Sequence, residues 1–273
     1  MKHILTSLFL LIAVSVSAQS TFEELISKSY DYIEKDSLFL AELTLKAALK
    51  KEPANPINYS LLTNLGTIQR RLGKKQEALE SYSAALSRQP KNTMILSNRA
   101  SLYAELGNVE KAINDYTALL IQDPQHEDAR YARGLLYIEQ RNFVAAEADF
   151  NTILETNEKT IRGRLGYAIL EKARGNYVES EKIFNYLIEK LPHDYVLYAE
   201  RADLYFMMGK NARAMSDINK LFYEGKPDAS AYVLRGKVKL VQYEKESAAQ
   251  DFQKALEMGY DPTVIEKLME LTK

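Results

Sequence analysis

His3, His126 and His193 are the only imidazoles in the chain, and acid–base or metal chemistry would begin with them. No His-Glu-Xaa-Xaa-His stretch occurs, and no cluster of His, Asp and Glu has metal-ligand spacing. His126 and His193 follow Pro124 and Pro192 at matching places that read as surface loops. Cysteine is absent, which removes disulfides, thiolate metal sites, a thiol nucleophile and a lipid-bearing cysteine anchor. The sequence holds no Gly-Xaa-Ser-Xaa-Gly elbow, no Gly-Lys-Ser/Thr phosphate loop and no dinucleotide fingerprint. Adjacent acids such as Glu23 and Glu24 fit a solvated helix face better than an acid and base pair. These residues therefore read as a protein without catalytic set, metal or cofactor, that is, not an enzyme.

The 273 residues are 46% hydrophobic and 27% charged, the balance of an ordered globular chain. Lys and Arg number 36 against 37 Asp and Glu, so nothing predicts attraction to nucleic acid or anionic lipid. Residues 1–18 differ from the rest. MKH supplies a positive start, ILTSLFLLIAV an apolar run shorter than the ~20 residues of a membrane span, and Val16 and Ala18 small residues before Gln19. This is the pattern of a secretory signal cleaved before Gln19, leaving no stable membrane span. The expected location is the periplasm, with the extracellular space as the other exported destination.

The elements that would carry any binding surface show themselves by a period of thirty-four. Gly66, Ala78, Tyr82, Ala85 and Pro90 recur as Ala100, Ala112, Tyr116, Leu119 and Pro124, and again as Gly134, Ala146, Phe150 and Ile153. The series continues through Ala168, Ser180, Phe184, Leu187 and Pro192, then Ala202, Ala214, Ile218 and Leu221, then Gly236, Ala248, Phe252 and Ala255. Glu158 and Lys226 stand at two of the proline places. Ser29, Ala41, Leu45, Ala48 and Pro53 fit the same spacings ahead of three inserted residues, Pro56–Asn58. The units are 22–55, 59–92, 93–126, 127–160, 161–194, 195–228 and 229–262, each reading as two amphipathic helices and a tight turn. Small residues mark the close approach of the paired helices, and the aromatic place fills the space to the neighbouring unit. Gly73, Gly107, Gly175 and Gly209 end first helices, and the prolines end second helices. After Asp261 as cap, residues 263–273 make one more amphipathic segment, with Val264, Ile265, Leu268 and Leu271 expected over the open last face.

This register resembles the tetratricopeptide repeat (TPR), and the resemblance covers essentially all of the chain after the signal. It implies an all-α, right-handed superhelical α-solenoid over 19–273, closed by a capping helix. It also implies that ligands lie along the concave face formed by the first helices. Asn64, Arg70, Arg71, Asn98, Tyr131 and Arg162 are the candidate contacts there. Tyr30, Thr63, Lys172, Glu200, Asp203 and Lys237 join the same face, as do apolar Met94, Met207 and Val233. Some relatives clamp a chaperone's terminal carboxylate, and Asn98 matches the middle residue of that clamp. Thr63, Thr67, Asp128 and Ala132 replace its other members, so the cations that meet a carboxylate are missing. The function expected is a non-catalytic scaffold of the cell envelope that binds a protein or peptide segment. An accessory role in glycan binding or uptake at the outer membrane is the alternative.

Overall fold

The computed structural model describes residues 20–157, 160–225 and 227–273. The signal segment, Glu158 and Lys226 lie outside them. Among the described residues the chain forms fifteen helices and no strand. First helices are α1 (Phe22–Glu34), α3 (Asn58–Arg71), α5 (Thr93–Glu105), α7 (Glu127–Glu139), α9 (Ile161–Arg174), α11 (Tyr195–Met207) and α13 (Ala229–Val241). Each is followed by its second helix: α2 (Leu38–Lys51), α4 (Lys75–Arg88), α6 (Val109–Gln122), α8 (Phe143–Thr156), α10 (Tyr177–Lys190), α12 (Asn211–Glu224) and α14 (Lys245–Glu257). The last helix, α15, runs Pro262–Glu270.

Local chemistry sets these boundaries. Thr21 and Glu24 form a capping box at the start of α1, satisfying two orphan backbone donors reciprocally. Asn92, Asp194, Asp228 and Asp261 accept from backbone N–H groups at the starts of α5, α11, α13 and α15. The turn between paired helices needs one residue with φ near +60°. Glycine supplies it at 73, 107, 175 and 209, as the spacing predicts. Asp36, Arg141 and Tyr243 adopt the same conformation at the equivalent places, although each carries a Cβ. The thirty-four-residue rhythm thus imposes the turn even where the side chain disfavours it.

The chain divides into two compact units, one ending at Leu136 and the other starting at Tyr137. In the first, α1 packs on α2, α3 on α4 and α5 on α6, and each pair continues onto the next. Ala41, Leu45 and Ala48 meet Leu61, Leu65 and Ile68 in one cluster, while Tyr82, Tyr116 and Leu119 anchor another. In the second unit α9 packs on α8 and α10, α11 on α12, and α13 on α14. Phe150, Phe184 and Phe252 are fully buried there. The rings sit where the helices leave no spare room. A Cβ built on Gly66 would come 2.7 Å from the Tyr82 ring, and one on Gly236 would come 2.5 Å from the Phe252 ring.

Two expectations change. Ile265 is buried and Leu268 packs beside it on α14, but Val264 and Leu271 turn outward, Leu271 being 61% exposed. Met269 takes part in the packing instead. The helical period explains the swap, because Ile265, Leu268 and Met269 share one face of α15. Thr63, expected on the ligand face, is buried, and its hydroxyl donates to the Tyr59 carbonyl 2.7 Å away.

The rings dominate the core, so Phe252→Ala is predicted to cost about 3–5 kcal/mol of stability. The check is urea unfolding followed by circular dichroism, in which the midpoint falls relative to the parent chain.

First-helix faces as the candidate functional site

In the first unit, neighbouring first helices are stitched together by their own polar side chains. Asn64 on α3 donates through Nδ2 to the Tyr30 hydroxyl on α1 at 3.3 Å, and Arg71 reaches Asp36 at 2.7 Å. Arg70, at the end of α3, donates through Nη2 to Ser101 Oγ on α5 at 2.9 Å and pairs with Glu105. Thr67 and the Tyr82 hydroxyl bond at 3.0 Å. Asn64, Arg70 and Arg71 therefore serve first as contacts between repeats, and the two arginines have carboxylate partners inside the chain. Reversing either charge would disturb the fold along with any ligand.

Asn98 stands apart from these. It is half-buried on α5, and its side chain makes no hydrogen bond among the described residues. Met94 lies one turn before it and is 57% exposed. Tyr131 is half-buried on α7. Arg162 is half-buried on α9, in the second unit. The structure thus brings Asn64 and Arg70 into one stitched face with Tyr30 and Ser101, and leaves Asn98 as the uncommitted amide beside it.

A second polar system escapes inspection of the ligand face. Arg99 grips Asp115 with two bonds of 2.7 and 2.8 Å, and Arg201 grips Asp217 with two of 2.8 Å. Arg235 makes the same paired contact with Asp251. In each, a first-helix arginine holds a buried aspartate of its own second helix. The third nitrogen of Arg99 reaches back to Ser83 Oγ at 3.0 Å, and that of Arg201 to Asn185 Oδ1 at 2.6 Å. One planar cation therefore ties together three helices. The signal was in the sequence: an arginine sixteen residues before an aspartate, recurring at 99, 133, 201 and 235.

The second unit carries a groove of about 470 Å³ between the N-terminal halves of α11 and α13. Lys172 of α9 also lines it. Its ammonium donates to Glu200 Oε2 and Asp203 Oδ2, both at 2.8 Å, and its side chain is only 12% exposed. Burial works against the charged ammonium, but the two carboxylates more than offset it and the Lys172 pKa is raised.

Among the described residues no group of three His, Cys, Asp or Glu side chains is placed to hold a metal ion. None of the helices described is long and apolar enough to cross a membrane. Stacked helix pairs with a polar, partly apolar face on their first helices define an α-repeat protein of the kind that typically serves as a non-catalytic protein-interaction module. Tetratricopeptide-repeat models match residues 59–92 and 97–161. The structure of a tetratricopeptide repeat protein from Parabacteroides merdae ATCC 43184 is 65% identical, with TM-score 0.88, over 92% of this chain and 98% of that one. The chain belongs to the tetratricopeptide-repeat family. More distant structures share the fold alone. PilW, a type IV pilus biogenesis factor, is 18% identical with TM-score 0.60 over 80% of this chain and 98% of that chain. MamA from Desulfovibrio magneticus RS-1 is 16% identical with TM-score 0.56, over 62% of this chain and 93% of that one. A search of curated proteins finds no significant match.

Lys172→Met leaves Glu200 and Asp203 side by side without their shared cation. It is predicted to cost about 1–2 kcal/mol at neutral pH, because both acids face solvent and are screened. A raised lysine pKa gives stability that is complete below the unfolded value of 10.5 and lost as pH rises through the folded one. Urea melts at neutral pH should separate the two chains, and the gap should narrow as the pH is raised above 10.5.

Proposed function

We propose that this protein is an exported scaffold of the cell envelope that captures a segment of another protein along its first-helix faces. The observation that supports this most is the pairing of Asn98 with Met94. An amide without a side-chain partner among the described residues and a half-exposed thioether lie on a face whose neighbours Tyr30, Asn64 and Arg70 are fixed by bonds between repeats. Such a surface is preformed, so a ligand meets little ordering cost on this side. Methionine adapts its shape to varied apolar side chains, and an amide can donate and accept toward an extended backbone. Family membership makes protein binding the default use of the fold, and residues 1–18 supply the export signal in this reading. Asn64, Asn98 and Tyr131 are the proposed contacts in the first unit, where Arg70 and Arg71 hold the face in shape, and Arg162 is a separate proposed contact in the second.

A photo-crosslinking amino acid at Asn98 or Tyr131, in cells, is expected to trap one dominant protein identifiable by mass spectrometry. The same group placed at Val178, exposed on second helix α10, should not trap it. Equal recovery from all three positions, or none from any, would overturn the assignment of the face.

A further inference from the structure

The charged groups lining the groove of the second unit differ in how far the fold already uses them. Glu200 and Asp203 share the Lys172 ammonium at 2.8 Å each. Asp228 caps α13, accepting from the Ala231 N–H at 2.8 Å. Lys237, half-buried on α13 and lining the same groove, makes no hydrogen bond or ion pair among the described residues. The groove floor between these charges is apolar, formed by Ala199, Val233 and Leu234.

We propose that this groove binds an extended segment of a partner protein in which an acidic residue adjoins an aliphatic one. The carboxylate meets the Lys237 ammonium, and the aliphatic side chain lies over Ala199, Val233 and Leu234. Charge complementarity selects this occupant. Two of the three carboxylates in the groove are tied to Lys172 and the third to a backbone N–H. Among the described residues, Lys237 is thus the one charged group there that gains a first partner on binding. An ammonium beside an apolar floor is short of solvent, so a charge-assisted bond to it is stronger than one at an open surface. A volume of about 470 Å³ suits a few side chains of a segment. The proposal rests on the reading of first-helix faces as the binding surface and narrows it to one groove and one chemistry.

The test is selection of a random displayed peptide library against the full chain, followed by titration of the enriched peptides. The expected peptides carry Asp or Glu next to Leu, Ile or Val. Their affinity falls roughly tenfold in Lys237→Glu and in Lys237→Gln, is retained in Lys237→Arg, and declines with added salt. Val196→Asp, at the exposed lip of the groove, should weaken them as well, while Val178→Ala, exposed on second helix α10, leaves them unchanged. Lys237 has no partner among the described residues, so its variants are expected to melt like the parent. Enriched peptides that are basic and lost in Glu200→Gln would overturn the proposal. Peptides that are indifferent to Lys237 but lost in Asn98→Ala would overturn it too, and would leave the first-helix face standing as the binding surface. Failure to enrich any peptide overturns the groove proposal. The broader reading falls with it only if crosslinking at Asn98 also traps no protein.

Discussion

The structure depends on one steric constraint: a buried aromatic ring at the point where two paired helices come closest. Tyr82, Phe184 and Phe252 each occupy that point, with Gly66, Ala168 and Gly236 against them. Gly166 shows the constraint reaching across repeats, since a Cβ there would strike the Phe150 ring of the preceding helix pair. The ring therefore fixes the spacing within a repeat and the seat of the next one. Each repeat is too small to bury its own apolar face, and stacking supplies the missing cover. Where the series ends, α15 provides it through Ile265, Leu268 and Met269.

Polar contacts add direction to a packing that hydrophobic burial alone would leave loosely specified. Arg99, Arg201 and Arg235 hold buried aspartates in bidentate pairs, and two of them reach into the preceding repeat. Such pairs contribute modest net stability, because desolvation offsets much of their attraction. Their consequence is geometric. They fix the rotation of each first helix, and so decide which side chains face outward. In the first unit this leaves Asn98 and Met94 presented together. In the second, Lys237 has no partner among the described residues of its groove.

Most of the fold was legible in the sequence because its determinants are local and recur. Spacings of twelve, four and three residues among small and aromatic side chains are repeated often enough to rise above chance. Glycine at 73, 107, 175 and 209 announced the turns, whereas Asp36, Arg141 and Tyr243 concealed the same turn behind residues that rarely adopt it. Assigning outward and inward faces was harder. Thr63 and Asn98 both lie on first helices, yet one is buried and bonded to its own backbone while the other is uncommitted. The commitment of Arg70 to Ser101 and Glu105 depends on partners about one period away. A list of polar residues cannot distinguish arginines that wait for a ligand from arginines that bind the next repeat.

Hydroxyl-radical footprinting of the full chain, alone and with its crosslinked partner, tests the central claim most directly. Tyr30, Met94 and Met207 are exposed on first helices, and Phe39, Val178 and Tyr223 on second helices. Binding through the first-helix faces predicts that oxidation of members of the first group falls on complex formation while the second group is unchanged. Protection of the second group, with Tyr30, Met94 and Met207 still fully oxidised, would contradict it.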